Sequence, residues 1–289
     1  MGEENPSGKP YSRRKFLAAV GSGVGAVLTA SGAVRAQNDR EEFRRIIEQS
    51  HRVREKTGSQ QRWYEFLRNR GLTGTTTRYT YRLPAKESSD GVSTQEIESK
   101  TEVDIWLTLW YNCETDEYYA EQNWTYDDSA DGCSYCSDGA PPVDVTGFGW
   151  DYEWWDLASY SISEATTTSS HGYVTVDEES FDGTGPAFKV NDQDIWWDGN
   201  EENTFYGGCY IVPVGNATED ERRIQGSYTH TWKSIEITGI SVSFPAGVSV
   251  SVSDATYKWK TTTENDQDTL LRVKQSGASN YNCGGSPYQ

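Results

Sequence analysis

Between residues 39 and 71 the hydrophobic positions recur every three or four residues, the spacing of an amphipathic helix. A first helix is predicted from an N-cap at Asp39 to Thr57-Gly58, with one apolar face made of Phe43, Ile46, Ile47 and Val53. A second helix is predicted from an N-cap at Ser59 to Gly71, with apolar residues Trp63, Phe66 and Leu67. Helices this short are not stable alone. They are therefore expected either to pack on the rest of the protein or to form a mobile, mildly basic stalk.

From about Thr75 the hydrophobic period changes to two, the period of a β-strand. Residues 103–111 alternate between an aliphatic face and an aromatic-polar face. Residues 118–126 are predicted to return antiparallel to that strand after a turn at residues 114–117. Further strands are predicted at residues 173–176, 187–190, 205–214, 228–233, 257–263 and 270–274.

The clearest hairpin joins residues 235–244 to residues 248–253 through Pro245-Ala246-Gly247. The apolar residues of its first strand occupy odd-numbered positions before Gly239 and even-numbered positions after it, which indicates a bulge or a bend at Gly239. Many short strands between Gly, Asp and Ser loops are typical of an antiparallel β-sandwich or jelly roll, here preceded by a short helical hairpin. Residues 127–141 and 276–289 are predicted to be a loop and a loose tail.

Charge is distributed unevenly along the chain. Residues 37–72 hold nine Lys/Arg and six Asp/Glu, a net charge of +3. Residues 73–289 hold 12 of the 26 basic residues and 36 of the 44 acidic ones, a net charge of −24. Such self-repulsion destabilises a fold at low salt and is largely screened at molar salt. The acidic excess therefore indicates adaptation to concentrated salt, as in haloarchaeal proteins, and it disfavours a nucleic-acid partner.

The first 36 residues have the three regions of a signal peptide. A basic start is followed by an uncharged, Gly-rich run from Phe16 to Ala33 and by Val34-Arg35-Ala36, which is suited to cleavage before Gln37. That run is too weakly hydrophobic for a good membrane-spanning helix, and no second long apolar segment follows. The export motif residues Ser12, Arg13, Arg14, Phe16 and Leu17 resemble the consensus of twin-arginine signal peptides. The resemblance implies a twin-arginine translocase as partner during export and a location outside the cytoplasm, secreted or at the cell surface.

Three segments are thus expected: the signal (1–36), a helical segment (37–72) and an acidic β-sandwich domain (73–289).

Five cysteines offer alternative chemistries. Outside the cell they are expected to pair, and the disulfide candidates are Cys113, Cys133, Cys136 and Cys209, with Cys283 left over. The spacing of Cys133 and Cys136 also fits a structural zinc site or a redox pair, with weaker support. Oxygen-rich loops at residues 127–132 and 198–203 could hold calcium, although neither has the spacing of a known helix-loop-helix site. We therefore expect no cofactor, with calcium or structural zinc as alternatives.

The three histidines (His51, His171 and His230) do not belong to any hydrolase motif, so nucleophilic and zinc hydrolysis are disfavoured. His51 is predicted to lie on a solvated helical turn. Paired carboxylates for glycoside hydrolysis can be neither supported nor rejected in so acidic a chain.

Two Trp pairs stand between acidic residues and form a possible ligand platform: Trp154, Trp155, Trp196 and Trp197. Neighbouring strand residues face opposite sides, so one Trp of each pair is expected in the core and the other at the surface. The alternative is that all of them fill the core. Asn123 and Asn216 lie in glycosylation sequons, and Asn123 would need to face solvent.

These features favour an exported, salt-adapted binding or cell-surface interaction module without catalytic activity, with glycans or cell-surface proteins as possible partners. The first alternative is a secreted carbohydrate-active enzyme that uses paired carboxylates and Trp platforms. The second is a secreted toxin or immunity protein acting at membranes, suggested by the Ser-Val alternation of residues 247–253.

Overall fold

A computed structural model describes the backbone of residues 29–82, 102–126, 144–159, 161–168, 174–190, 204–231, 237–245, 247–253, 258–261 and 271–279. Its helices are α1 (Thr29–Thr57), α2 (Gln60–Asn69) and the short α3 (Gln275–Ser279), with 3-10 turns at Ile162–Glu164 and Glu178–Ser180. The first strands are β1 (Thr73–Arg82), β2 (Glu102–Asn112), β3 (Glu117–Tyr126), β4 (Asp144–Trp150), β5 (Trp155–Leu157), β6 (Thr166–Thr167) and β7 (Val174–Val176). The others are β8 (Ala187–Val190), β9 (Thr204–Pro213), β10 (Arg223–Thr231), β11 (Ile237–Ser243), β12 (Gly247–Val252), β13 (Lys258–Lys260) and β14 (Arg272–Lys274).

The end of α1 and the whole of α2 follow the predicted signals. Gly58 ends α1 with a positive φ of 58°, and its N–H donates to the carbonyl of Arg54 at 2.7 Å. Ser59 caps α2 by accepting a hydrogen bond from the Arg62 N–H at 3.3 Å. The predicted start at Asp39 is wrong, because α1 already begins at Thr29 and Asp39 lies inside it. Residues 29–36 contain several alanines, which continue a helix readily, so the capping signal at Asp39 is not used.

Two antiparallel sheets form the body of the described fold. The first has the order β1-β2-β3-β9-β5, with β6 also paired to β9. The second has the order β13-β10-β4-β8-β7, with β14 also paired to β10. The protein is therefore mainly antiparallel β, sandwich-like and preceded by helices, as the period-two pattern predicts.

One apolar core lies between the two sheets. From the first sheet it takes the aliphatic face of β2 and inward residues of β3 and β9, and from the second it takes inward residues of β4, β8 and β10. Trp124 of β3 contacts Phe205 of its own sheet and Tyr228 of the opposite sheet, with ring centroids 6.1 and 6.4 Å apart. The predicted aliphatic face of β2 is thus the inner face, as Val103, Ile105, Leu107 and Leu109 are all fully buried.

The predicted hairpin forms from β11 and β12, with a register irregularity between Ile237 and Gly239. It lies against the outer surface of the second sheet, where Val242 and Val248 join Val145 and Ala187 in a small apolar cluster. A side chain at Gly149 of β4 would crowd Val242 at 3.1 Å, so glycine permits the close approach of the hairpin.

The last described segment returns to the first strand of the sandwich. The Thr73 hydroxyl of β1 donates to the carbonyl of Ala278 at 2.7 Å, and the Thr77 hydroxyl donates to that of Arg272 at 2.6 Å. Ala278 is fully buried. The prediction of a loose tail from residue 276 is therefore wrong for residues 276–279, which pack on β1 as part of α3, while residues 280–289 lie outside the described part of the chain.

Candidate functional site

The outer face of the first sheet is covered by the two N-terminal helices. Their apolar side pairs with outward aromatic side chains of the sheet in a second core made of Phe43, Ile46, Ile47, Trp63, Leu67, Leu72, Trp110, Tyr119 and Tyr210. Trp63 of α2 meets Trp110 of β2 edge-to-face at 5.8 Å. The helices consequently pack on the sandwich and do not form a stalk.

A buried ionic cluster lies in this helix–sheet interface, centred on Glu121 of β3. Arg54 Nη1 of α1 donates to Glu121 Oε1 at 2.6 Å, and His51 Nε2 lies 2.7 Å from Glu121 Oε2. The Tyr119 hydroxyl donates to the same Oε2 at 2.9 Å, and Asn123 Nδ2 donates to Oε1 at 3.3 Å. We call these five residues the ionic clamp.

Aromatic rings pack against Arg54 and His51 of the ionic clamp. The Arg54 guanidinium lies between the rings of Trp63 and Tyr206, at 4.4 and 4.2 Å from their centroids. His51 stacks on Tyr206 at 4.1 Å. The Tyr206 hydroxyl in turn donates to Glu55 Oε1 at 3.1 Å. Cation–π contacts of this kind help to offset the desolvation of the guanidinium.

The electrostatics keep the Glu121–Arg54 pair charged. Burial alone would raise the pKa of Glu121, but Arg54 and His51 outweigh it and lower that pKa to about 2. Burial lowers the pKa of His51 below its ordinary value, although Glu121 acts in the opposite direction. The pKa of Tyr119 is raised by burial and by the charge of Glu121. The cluster therefore holds an ionised carboxylate, a guanidinium cation, a neutral imidazole and a neutral phenol at neutral pH.

His51 and Glu121 lie beside two hydroxyl groups, those of Tyr119 and Thr166, which are 2.5 Å apart. This set of side chains resembles the acid–base groups of an active site. A general base must however reach the proton that it abstracts. Here the exposed fraction is 0% for Glu121 and Tyr119, 2% for Arg54 and 5% for His51. The contacts of the clamp join α1 to β3, so its arrangement supports docking of the helix.

A second contact between a helix cation and a sheet carboxylate lies further along β3. Arg40 Nε of α1 is 2.9 Å from Glu117 Oε1, and the Glu117 side chain is fully buried. Burial raises the pKa of Glu117, while Arg40 and Arg44 lower it. Two acidic residues of β3 thus face cations of α1 across one interface.

Two sequence-based assignments fail at this interface. His51 is buried, so the prediction of a solvated turn is wrong. Asn123 is also fully buried and donates to Glu121, so it does not face solvent as a glycan acceptor must. Both residues are buried for one reason, because the helices pack on the outer face of the first sheet: His51 lies on the helix side of that contact and Asn123 on the strand side. Asn216 is exposed in a turn after β9.

The cysteine candidates separate into two environments. Cys209 is a free thiol buried in the sandwich core, and burial raises its pKa, so its assignment as a disulfide candidate is wrong. It lies on the inner face of β9 among apolar side chains, where no second described cysteine reaches it. Cys113 is disulfide-bonded. Cys133, Cys136 and Cys283 lie outside the described residues.

The Trp platform is only partly described. Trp155 is 1% exposed in the sandwich core, so it cannot serve as a surface platform. Trp154 is half-buried and packs edge-to-face on Phe244 at 5.4 Å. Several other candidates lie outside the described residues. They are Trp196, Trp197, His171, the export motif and the two candidate calcium loops at residues 127–132 and 198–203. Among the described side chains, no three His, Cys, Asp or Glu residues lie together in an arrangement that could hold a metal ion.

No known protein family matches the chain, and neither does any curated protein. Among solved structures, one similar chain is the KRT10-binding region domain of the pneumococcal serine rich repeat protein PsrP. It is 11% identical, with a TM-score of 0.22, and the match covers 63% of this chain and 90% of that one. Within the described residues, no helix combines the length and apolar character needed to cross a membrane.

Proposed function

We propose that the protein is exported through the twin-arginine pathway and acts outside the cytoplasm, in concentrated salt, as a non-enzymatic binding module of the cell surface. The observation that carries the non-enzymatic part of the proposal is the buried ionic clamp. Its His, Glu and Tyr groups, whose chemistry would suit acid–base catalysis, are used in docking α1 on the sheet and are sealed from solvent. The acidic composition of residues 73–289 supports the salt adaptation, and the Arg13-Arg14 motif supports the export.

Binding is tested with the exported protein in about 3 M KCl, where the Debye length is below about 3 Å. The protein is incubated with cell envelopes of the producing organism and then sedimented. We expect saturable co-sedimentation without release of reducing sugar. Release of sugar would instead indicate a carbohydrate-active enzyme, and dye leakage from lipid vesicles under the same salt would indicate a membrane-acting toxin.

Export is tested separately by replacing Arg13 and Arg14 with Lys. The positive charge of the signal stays the same, so a requirement for the Arg pair itself is isolated. We expect the precursor to accumulate inside the cells. Normal secretion of the double variant would contradict the twin-arginine assignment.

A further inference from the structure

Three cations share one edge of the second sheet. In the antiparallel pairing of β10 with β14, Arg223 is opposite Lys274, and Arg272 lies two residues away from Lys274 on β14. Ile224 and Val273, which separate these positions along the strands, point into the sandwich core. Because side chains alternate along a strand, the three cations lie on the outer face of the sheet.

These cations are exceptional in so acidic a domain. Only 12 Lys and Arg residues occur between residues 73 and 289. Elsewhere Arg78 is paired with Asp104, and Lys189 lies 2.7 Å from Asp177. Within the described part of the chain, the guanidinium groups of Arg223 and Arg272 have neither an ion pair nor a hydrogen bond, and the Nε atom of each is buried without a partner.

The two guanidinium groups also repel each other. The pKa of Arg272 lies below its ordinary value because of burial and of the charge of Arg223. A neighbouring carboxylate would shift that pKa in the opposite direction. Two adjacent, half-buried and unpaired arginines are an arrangement that a bound anion would stabilise.

An aromatic surface adjoins this charge. The Arg223 guanidinium lies 5.8 Å from the ring centroid of Trp154 and 5.3 Å from that of Phe244. Both rings are half-buried, so each keeps an accessible part. Tyr152, two residues before Trp154, is 60% exposed and is the one large hydrophobic side chain that is exposed among the described residues.

We propose that this cationic-aromatic patch, formed by Arg223, Arg272, Lys274, Trp154 and Phe244, binds a carboxylated sugar of an acidic polysaccharide. The inference rests on the proposed binding function and names its ligand class. A guanidinium fork matches a carboxylate in shape and donates two parallel hydrogen bonds, which persist at contact distance when salt screens longer-range attraction. The apolar face of a sugar ring is complementary to an aromatic ring, whereas an Asp or Glu side chain offers no such face.

The test is calorimetric titration of the full exported protein with a galacturonic acid oligosaccharide in about 1 M KCl, where the Debye length is about 3 Å. The methyl-esterified form of the same oligosaccharide is the control ligand, since it has the same rings without the charge. We expect binding of the acid and little binding of the ester. The variant Arg223→Gln/Arg272→Gln is expected to weaken binding by about tenfold or more, the effect of losing one or more charge-assisted hydrogen bonds.

Two further variants separate charge from geometry. Arg78→Gln removes one guanidinium charge, half of the charge that the double variant loses, from an exposed ion pair on the other sheet. It is expected to leave affinity within about twofold, because that pair lies outside the patch. Arg272→Lys keeps the charge but lacks the fork, so it is expected to weaken binding measurably. The unfolding midpoint of each variant is recorded, so that a folding defect is recognised and Arg272→Lys then carries the test.

Three results would overturn the proposal: equal affinity for acid and ester, an equal loss in Arg78→Gln, or arginine-dependent binding of polyglutamate without binding of the sugar. The third result would identify an acidic polypeptide as the ligand. If the double variant still co-sediments with envelopes, the patch is not the binding surface while the binding function stands. If the wild-type protein does not co-sediment, the binding function itself fails.

Discussion

At the scale of single residues, Glu121 shows how a charge is kept inside this protein. A carboxylate buried without a partner would be neutralised, because its desolvation free energy is large. Arg54 and His51 approach its two oxygens from the helix side, and Tyr119 and Asn123 from the strand itself. Arg54 and Glu121 are 67 residues apart in the sequence, so the clamp is a tertiary contact.

Replacing Glu121 with Gln is expected to lower the free energy of unfolding by about 3–5 kcal/mol, because Arg54 is left as a buried, uncompensated cation. The measurement is urea unfolding followed by Trp fluorescence in about 3 M KCl, where surface charges are screened. Glu42→Gln is the matched control. It breaks an exposed pair with Arg45 on the same helix and is expected to change stability by less than about 0.5 kcal/mol. Equal effects of the two substitutions would show that the clamp does not stabilise the fold.

The clamp also predicts how stability depends on pH. The pKa of His51 is lowered in the folded state by burial, so the unfolded chain takes up a proton first as the pH falls below 6.5. Stability is therefore expected to decline below pH 6.5, and again between 4.5 and about 2, where the lowered pKa of Glu121 acts in the same direction. His51→Gln should flatten the first decline without removing the second, as measured by unfolding at a series of pH values. An unchanged slope below pH 6.5 in this variant would contradict the assignment of that decline to His51.

Residue-level prediction fails where burial depends on a neighbouring element. The side chains of β3 alternate between the two faces of the sheet, with Tyr118, Ala120 and Trp124 inward and Tyr119 and Glu121 outward. Alternation does not show that helices cover the outward side. The solvent exposure that a glycan on Asn123 requires, and the solvated helical turn predicted for His51, are both excluded by that cover. Cys209 follows the inward parity of β9, a signal in the sequence that places it in the core as a free thiol.

At the scale of elements, predictions succeed where the periodicity is strong. The second helix, the strands β2, β3 and β8 and the hairpin β11–β12 all form close to their predicted bounds. Strand β4 has no counterpart among the predicted strands. Its seven residues are all buried, and glycines at positions 147 and 149 interrupt any alternation. A strand covered on both faces lacks the polar half of the pattern by which strands are recognised.

The junction between helices and sheet depends on Trp63, which is fully buried between Arg54 and Trp110. Trp63→Ala is expected to cost about 3–5 kcal/mol by leaving a cavity, and the loss should fall first on the helices. Amide hydrogen exchange is therefore expected to increase in α1 and α2 before it increases in β2 and β3. Phe66→Ala, at a half-buried position of the same helix, should have a smaller effect. Uniform acceleration across helices and sheets would show that the two layers open together.

At the scale of the whole molecule, charge is organised by layer. Residues 37–72 carry a net charge of +3 and their helices cover the outer face of the first sheet, whereas residues 73–289 carry a net charge of −24. Cations of α1 meet Glu117 and Glu121 in the interface, so part of the opposite charge is matched inside the protein. The remaining acids repel one another across the surface.

Stability is consequently expected to rise between about 0.1 and 3 M KCl, as the Debye length falls from about 10 Å to below 3 Å. The gain should be the same in Glu121→Gln as in the wild type, because the clamp is buried and is screened much less than surface charge. Unfolding by Trp fluorescence measures both curves. A flat or falling curve for the wild type would remove the salt-adaptation argument and point to the acids as a recognition surface.

The contact between β1 and the segment around α3 constrains the order in which the protein can fold. Thr73 and Thr77 bind carbonyls that are roughly two hundred positions later in the chain, at Ala278 and Arg272. A ribosome synthesises the chain from its N-terminus, so the first strand waits unpaired on that side until almost all of the sandwich has emerged. Such distant pairing is intrinsically slow, because the intervening loop must be closed before the contact stabilises it. The sandwich is thus expected to close in a late folding step, after the segment around α3 has been synthesised.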